Sequence, residues 1–186
     1  MVKASKLSTA PIAVRTRRAY FDCKFGQLHV RTAFPTTGGF DEQVTLFCLH
    51  PSDASSRVFD RFLPELADVR SIYAPDLPGY GESDSSPGRT VPEAAAAVSD
   101  LARDLRLRQI DLVGAHYGAA VAIELAVAKP ELVRCVVAIG PPAFDRLTAL
   151  KQPRLLIEPS QYGDEPLDAV LDGLAKRIDG FLRARA

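Results

Sequence analysis

Residues 111–130 read DLVGAHYGAAVAIELAVAKP, a short apolar run from Asp111 to Gly114, a turn of small residues, and then an almost wholly apolar helical stretch. A strand, a sharp turn that holds one exposed side chain between glycines, and a helix form the arrangement by which many enzymes present a nucleophile, with the pattern GxSxG. Here the five residues are Gly114, Ala115, His116, Tyr117 and Gly118. The glycines are in place and an imidazole stands where the nucleophile is expected. Between Ala119 and Ala128 the only polar side chain is Glu124, so the helix must be buried nearly all round.

Strand and helix patterns alternate around this centre. Residues 19–34 carry a hairpin signal, with Leu28, Val30 and Ala33 alternating against His29, Arg31 and Thr32, which puts His29 on the polar side. Pro35 to Gly39 is a loop by composition. Gln43 to His50 is an apolar run ending in polar residues, as in a strand buried on both faces of a parallel sheet. A helical pattern with Val58, Phe59, Phe62, Leu63 and Leu66 follows, kinked or shortened by Pro64. Arg70 to Ala74 is the next strand and Asp76 to Ser83 an extended turn. Thr90 and Glu93 have capping-box spacing with Pro92 in the first turn, opening a helix that buries Ala94, Ala97, Val98, Leu101 and Leu105 and turns Asp100, Arg103 and Asp104 to water. Leu132 to Ile139 and Leu155 to Ile157 are further strands. Leu167, Val170, Leu171, Leu174, Ile178, Phe181 and Leu182 mark a closing amphipathic helix. The fold class that follows is α/β: a mostly parallel sheet with helices on both faces and an N-terminal hairpin.

Composition bounds the function. A chain of 186 residues, 47% hydrophobic, is expected to form one domain, here residues 19–186, behind a loose basic arm, residues 1–18, with Lys3, Lys6, Arg15, Arg17 and Arg18 and no acid. Twenty-three basic and 23 acidic residues balance, so no nucleic-acid partner is expected. No stretch approaches a membrane span or a secretory signal. Cys23, Cys48 and Cys135 are odd in number and far apart, and Cys48 and Cys135 lie in apolar runs, which suits buried thiols and a cytoplasmic location. His50, His116 and Asp76 have no metal-ligand spacing such as HExxH, and neither a metal nor another cofactor is expected.

The order of these motifs resembles the α/β-hydrolase superfamily, and within it the small-molecule esterase, epoxide hydrolase and C–C hydrolase branch. Leu49-His50 after its strand resembles that family's strand-then-His-Gly turn. Asp76-Leu-Pro-Gly-Tyr-Gly-Glu-Ser83 resembles its DxPGxGxS turn, and residues 114–118 resemble its elbow. The resemblance spans Tyr20 to Pro142. It implies a backbone oxyanion hole from the N–H of Tyr117 and, after Pro51, of Ser52, with His50 beside it as a further ligand-binding residue. It also implies a catalytic acid, at Asp145 or at Asp164. The triad is degenerate: His116 replaces the nucleophile and no histidine follows it. Between Pro142 and Lys151 there is no room for the cap domain that relatives insert, and one strand near the C-terminus is missing from the pattern. Such a chain is either a natural minimal form or a shortened or edited one.

Two functional readings follow. In the first the protein is a hydrolase of a small ester or other carbonyl compound, with His116 as general base in place of a serine. In the second it is an inactive pseudo-hydrolase that binds a small ligand or protein partner at the same site. An uncovered site also implies exposed apolar surface, and with it a homodimer through the uncapped face.

Overall fold

The computed structural model describes residues 14–35, 43–140, 145–161 and 163–185. Seven strands form one sheet: β1 (Val14–Cys23), β2 (Gly26–Pro35), β3 (Leu46–Leu49), β4 (Ile72–Pro75), β5 (Ile110–Ala115), β6 (Val133–Ile139) and β7 (Arg154–Ile157). Their spatial order is β1-β2-β4-β3-β5-β6-β7. The hairpin β1/β2 and the pair β2/β4 are antiparallel, and the remaining pairs are parallel. The strands from β3 to β6 are buried almost throughout, as continuous apolar runs in a doubly covered parallel sheet must be.

Among the described residues four α-helices cover the two faces: α1 (Phe62–Leu66), α2 (Val91–Asp104), α3 (Tyr117–Ala128) and α4 (Leu167–Arg183). One core lies under α2 and α3, where Val98, Leu101, Val121 and Leu125 meet Leu112 and Val136. The other lies under α1 and α4, where Phe59, Phe62 and Leu63 join Val113, Val137, Leu171 and Ile178. Burial of each such side chain contributes roughly 1.5–3 kcal/mol before entropy is counted. The buried residues of α3 include Gly118, Ala119, Ala120, Ala122 and Ala126, and Gly118 brings the start of the helix against the Leu49 and His50 carbonyls.

Several expectations shift. The hairpin is longer than its pattern, and β1 begins at Val14, so residues 14–18 belong to a strand rather than to a loose arm; residues 1–13 lie outside the described residues, as do 36–39 of the expected loop. The pattern at 58–66 splits into a 3-10 turn, Ser56–Phe59, and the five-residue α1, because Pro64 is tolerated only in a first turn. Asp100 is buried rather than solvated, accepting from the Lys24 N–H at 3.0 Å and pairing with Arg103 at 2.7 Å. The capping box of Thr90 and Glu93 forms as expected.

At the edge of the sheet where the parallel strands begin, Arg70 is fully buried. Its guanidinium bonds Asp179 of α4 at 2.9 Å and lies 4.0 Å from Asp111. Arg134 binds Asp111 with two nitrogens and reaches the carbonyls of Leu182 and Arg185. Burial pushes the Arg70 pKa down and the two carboxylates push it back up. Between β6 and β7, residues 140–153, the described chain forms only the 3-10 turn Asp145–Ala149, and no cap domain is inserted.

Candidate active site

β5 ends at Ala115 and α3 starts at Tyr117, so the chain reverses on the single residue His116, at φ 49° and ψ −108°. A non-glycine residue held there is strained. Close packing on both sides enforces it. A Cβ built on Gly114 would stand 2.3 Å from the Gly118 carbonyl oxygen, and one on Gly118 would stand 2.1 Å from the carbonyl oxygen of Leu49. The elbow is further tied down by the His116 N–H donating to Ile139 O at 2.8 Å and by the His116 carbonyl accepting from Ala119 and Ala120.

The His116 side chain is exposed and makes no hydrogen bond among the described residues. Tyr117 is the first residue of α3, so its N–H has no acceptor within its own helix. Its half-buried ring lies 5.8 Å from that of Tyr80, and its hydroxyl is 3.4 Å from the carbonyl of Arg89. Burial, with Tyr80 and Glu93 nearby, pushes the Tyr117 pKa up to about 12, so the phenol keeps its proton at neutral pH. Because Gly118 packs against the Leu49 and His50 carbonyls, the end of β3 and the loop bearing Ser52 run beside the start of α3. Ser52 is exposed in that loop.

His50, expected beside the oxyanion hole, has both ring nitrogens engaged within the chain. It is fully buried; its Nδ1 donates to Pro51 O at 2.7 Å and its Nε2 accepts from the Leu77 N–H at 2.9 Å. Only one tautomer satisfies both bonds, and burial pushes its pKa down, so the imidazole is a neutral brace with neither nitrogen free. Asp164 is exposed in the turn after β7 and makes no hydrogen bond among the described residues. Asp145 opens the 3-10 turn that follows residues 141–144, which lie outside the described residues.

The sequence reading also misplaced His29. It is buried, with Nδ1 2.9 Å from Asp76 Oδ2. The turn after β4 folds back over β2: the Asp76 N–H donates to His29 O at 2.8 Å, the His29 N–H donates to Ser83 Oγ at 2.9 Å, and Ser83 Oγ donates to Asp76 O at 2.7 Å. Asp76 also accepts from the Ser56 and Glu82 N–H groups at 2.7 and 2.9 Å. Burial works to raise its pKa, but the hydrogen bonds from Ser56, Glu82 and His29 outweigh it and hold the carboxyl below its ordinary range. The DxPGxGxS turn was the signal that could have found this partnership. No group of three or more His, Cys, Asp or Glu side chains is placed to hold a metal ion among the described residues.

A mixed sheet in this order, with a strained elbow between the interior strand β5 and a buried helix at the C-terminal strand edge, defines a protein of the α/β-hydrolase type. The family model described as "Alpha/beta hydrolase family" matches residues 46–186, and the chain belongs to that family. It is 40% identical over 83 residues to 2-hydroxymuconate semialdehyde hydrolase of Pseudomonas sp. strain CF600, covering 42% of this chain and 28% of the relative. It is 32% identical over 131 residues to haloalkane dehalogenase of Bradyrhizobium diazoefficiens, covering 67% and 38%. The chain thus spans 28–38% of the length of the curated relatives it matches. Among solved structures, one described as a predicted CIB-like hydrolase from Thermoplasma acidophilum superposes with a TM-score of 0.69 at 18% identity, covering 77% of this chain and 73% of that one. Naproxen esterase from Bacillus subtilis gives 0.61 at 22% identity, covering 69% and 44%, and both likenesses concern the fold.

Proposed function

We propose that the protein hydrolyses a small ester or related carbonyl compound at the elbow, with His116 as general base. The observation that carries this reading is the backbone of His116, a non-glycine residue held at φ 49° with its imidazole exposed and unengaged. Strain of this kind costs roughly 1–3 kcal/mol and is found where the surrounding structure overdetermines it, often at functional positions. In the proposed step the imidazole removes a proton from water as its oxygen adds to the carbonyl carbon. The resulting oxyanion is held by the N–H groups of Tyr117 and Ser52. When the tetrahedral adduct collapses, the C–O bond to the leaving alcohol breaks and the imidazolium returns the proton to that oxygen. That several family relatives are hydrolases supports the reaction class.

The test is turnover of a panel of activated short-chain aryl esters by the wild type and by His116→Ala, with free imidazole at matched concentration as baseline. Repeated turnover far above the baseline, lost in the variant, is the expected result. Equal inertness of both proteins overturns the reading.

One observation favours a second reading, a pseudo-hydrolase that binds without chemistry. His116 has no carboxylate partner among the described residues, and both nitrogens of His50 are occupied, so nothing described orients the base. Its sign is a ligand-dependent rise in Tm without turnover that survives His116→Ala.

A further inference from the structure

Among the described residues three that are not glycine have positive φ: Arg89 at 47°, Arg106 at 55° and His116 at 49°. Two of them belong to one neighbourhood, since Tyr117, the residue after His116, carries its hydroxyl to within 3.4 Å of the Arg89 carbonyl. We infer that Arg89 is a specificity-determining residue of the elbow site, holding a carboxylate carried by the substrate at a distance from the carbonyl that reacts. This rests on the reading of the elbow as a carbonyl site and narrows its substrates to acids that also bear an ester or similar carbonyl group.

The loop that carries Arg89 is braced by hydrogen bonds. Glu93 accepts from the Gly88 and Thr90 N–H groups, each at 3.1 Å, and from Ser86 Oγ at 3.3 Å, while Thr90 Oγ1 accepts from the Glu93 N–H at 3.3 Å. The Glu93 carboxylate is therefore committed to the loop, and Arg89 itself forms no ion pair among the described residues. Its side chain passes close to Gly79, where a built Cβ would meet Nε at 2.8 Å and Cζ at 3.3 Å. Gly79 precedes Tyr80, whose ring packs on those of Tyr117 and His50. The result is an exposed arginine without an ion pair, its side chain against the turn that carries Tyr80 and its carbonyl near the Tyr117 hydroxyl. Guanidinium recognises carboxylate through two parallel N–H···O bonds, and a preordered loop reduces the entropy lost on binding.

The experiment compares aryl monoesters of succinate, glutarate and adipate with the same compounds capped as methyl esters, in the wild type, Arg89→Gln and Arg89→Lys. The wild type is expected to prefer the free acids in kcat/KM. The preference should fall about tenfold in Arg89→Gln, be partly kept in Arg89→Lys, and shrink as salt is raised. Thermal stabilisation by glutarate is measured in parallel, with His116→Ala added. Stabilisation that needs Arg89 but not His116, without hydrolysis of any ester, would sink the hydrolytic reading and leave the arginine's role standing. No preference for the acids and no stabilisation by glutarate in the wild type would overturn the inference, as would either effect persisting undiminished in Arg89→Gln.

Discussion

At the scale of single residues the elbow depends on two absent side chains. Gly118→Ala would drive a Cβ to 2.1 Å from the Leu49 carbonyl oxygen, against backbone that cannot rotate away. A loss of about 3 kcal/mol or more is expected, read as a lowered urea midpoint with an unchanged slope. Asp76 makes a different kind of prediction. Its folded pKa lies below the ordinary carboxylate value of about 3.9, so its stabilising contribution is fully present above that value and drains away as pH falls through the folded pKa. Asp76→Asn should be less stable than the wild type at neutral pH, and the two stability curves should converge as the solution is taken below about pH 4. Curves that stay parallel through that range would show that the carboxylate charge contributes nothing. The three histidines mark how far a one-dimensional reading reaches. His116 was legible because glycines two residues away on each side define a turn. His29 was not, because alternation along β2 assigns it to the water side, and only the fold-back of residues 76–84 covers that side. His50 was placed correctly at its strand end, but its role depends on a backbone N–H 27 residues away, which no local pattern encodes.

Among the elements, α2 and α4 are held by contrasting means. α2 carries its own start signal, and Thr90→Ala should cost about 1 kcal/mol by leaving the Glu93 N–H without an acceptor. A thermal melt gives the readout. The periodicity of α4 was plain in the sequence, but its anchor was not, since Arg70, Asp111, Arg134 and Asp179 come from four separate segments. Arg70 has no exposed surface and bonds Asp179 directly. Removing the carboxylate in Asp179→Ala leaves a buried guanidinium with only the more distant Asp111, and a loss of about 3 kcal/mol is expected. Replacing both partners by apolar residues, Arg70→Met with Asp179→Leu, should recover much of that loss, because a buried pair costs desolvation that an apolar pair does not. A double variant no better than Asp179→Ala alone would mean that Arg70 matters chiefly through packing. Expected strands and observed strands agree in order and differ in length, for an apolar run does not record where ladder pairing stops.

Across the whole molecule, stability is graded from the centre of the sheet to the hairpin. β3, β5 and β6 are paired on both sides and covered on both faces, whereas β1 pairs with β2 alone and leaves most of its side chains exposed. Tyr20, 52% exposed, is the large apolar side chain that the described residues leave in water, and it lies on this outer strand. The same gradient predicts how the molecule opens. Backbone hydrogen bonds of β1 are shielded by few buried side chains, so its amides should exchange through a sub-global opening at lower free energy than those of β5, β6 and α3. Native-state hydrogen exchange in low denaturant distinguishes the two groups directly. Amides of β1 should merge with the global isotherm only near the unfolding midpoint, while those of Leu112, Val113 and Val137 should follow it from the outset. Equal protection across all seven strands would mean that the hairpin is locked by the Asp76 turn, through His29, as firmly as the parallel strands are by their helices. Asp76→Asn, already expected to weaken that turn, should then loosen β1 selectively and restore the gradient.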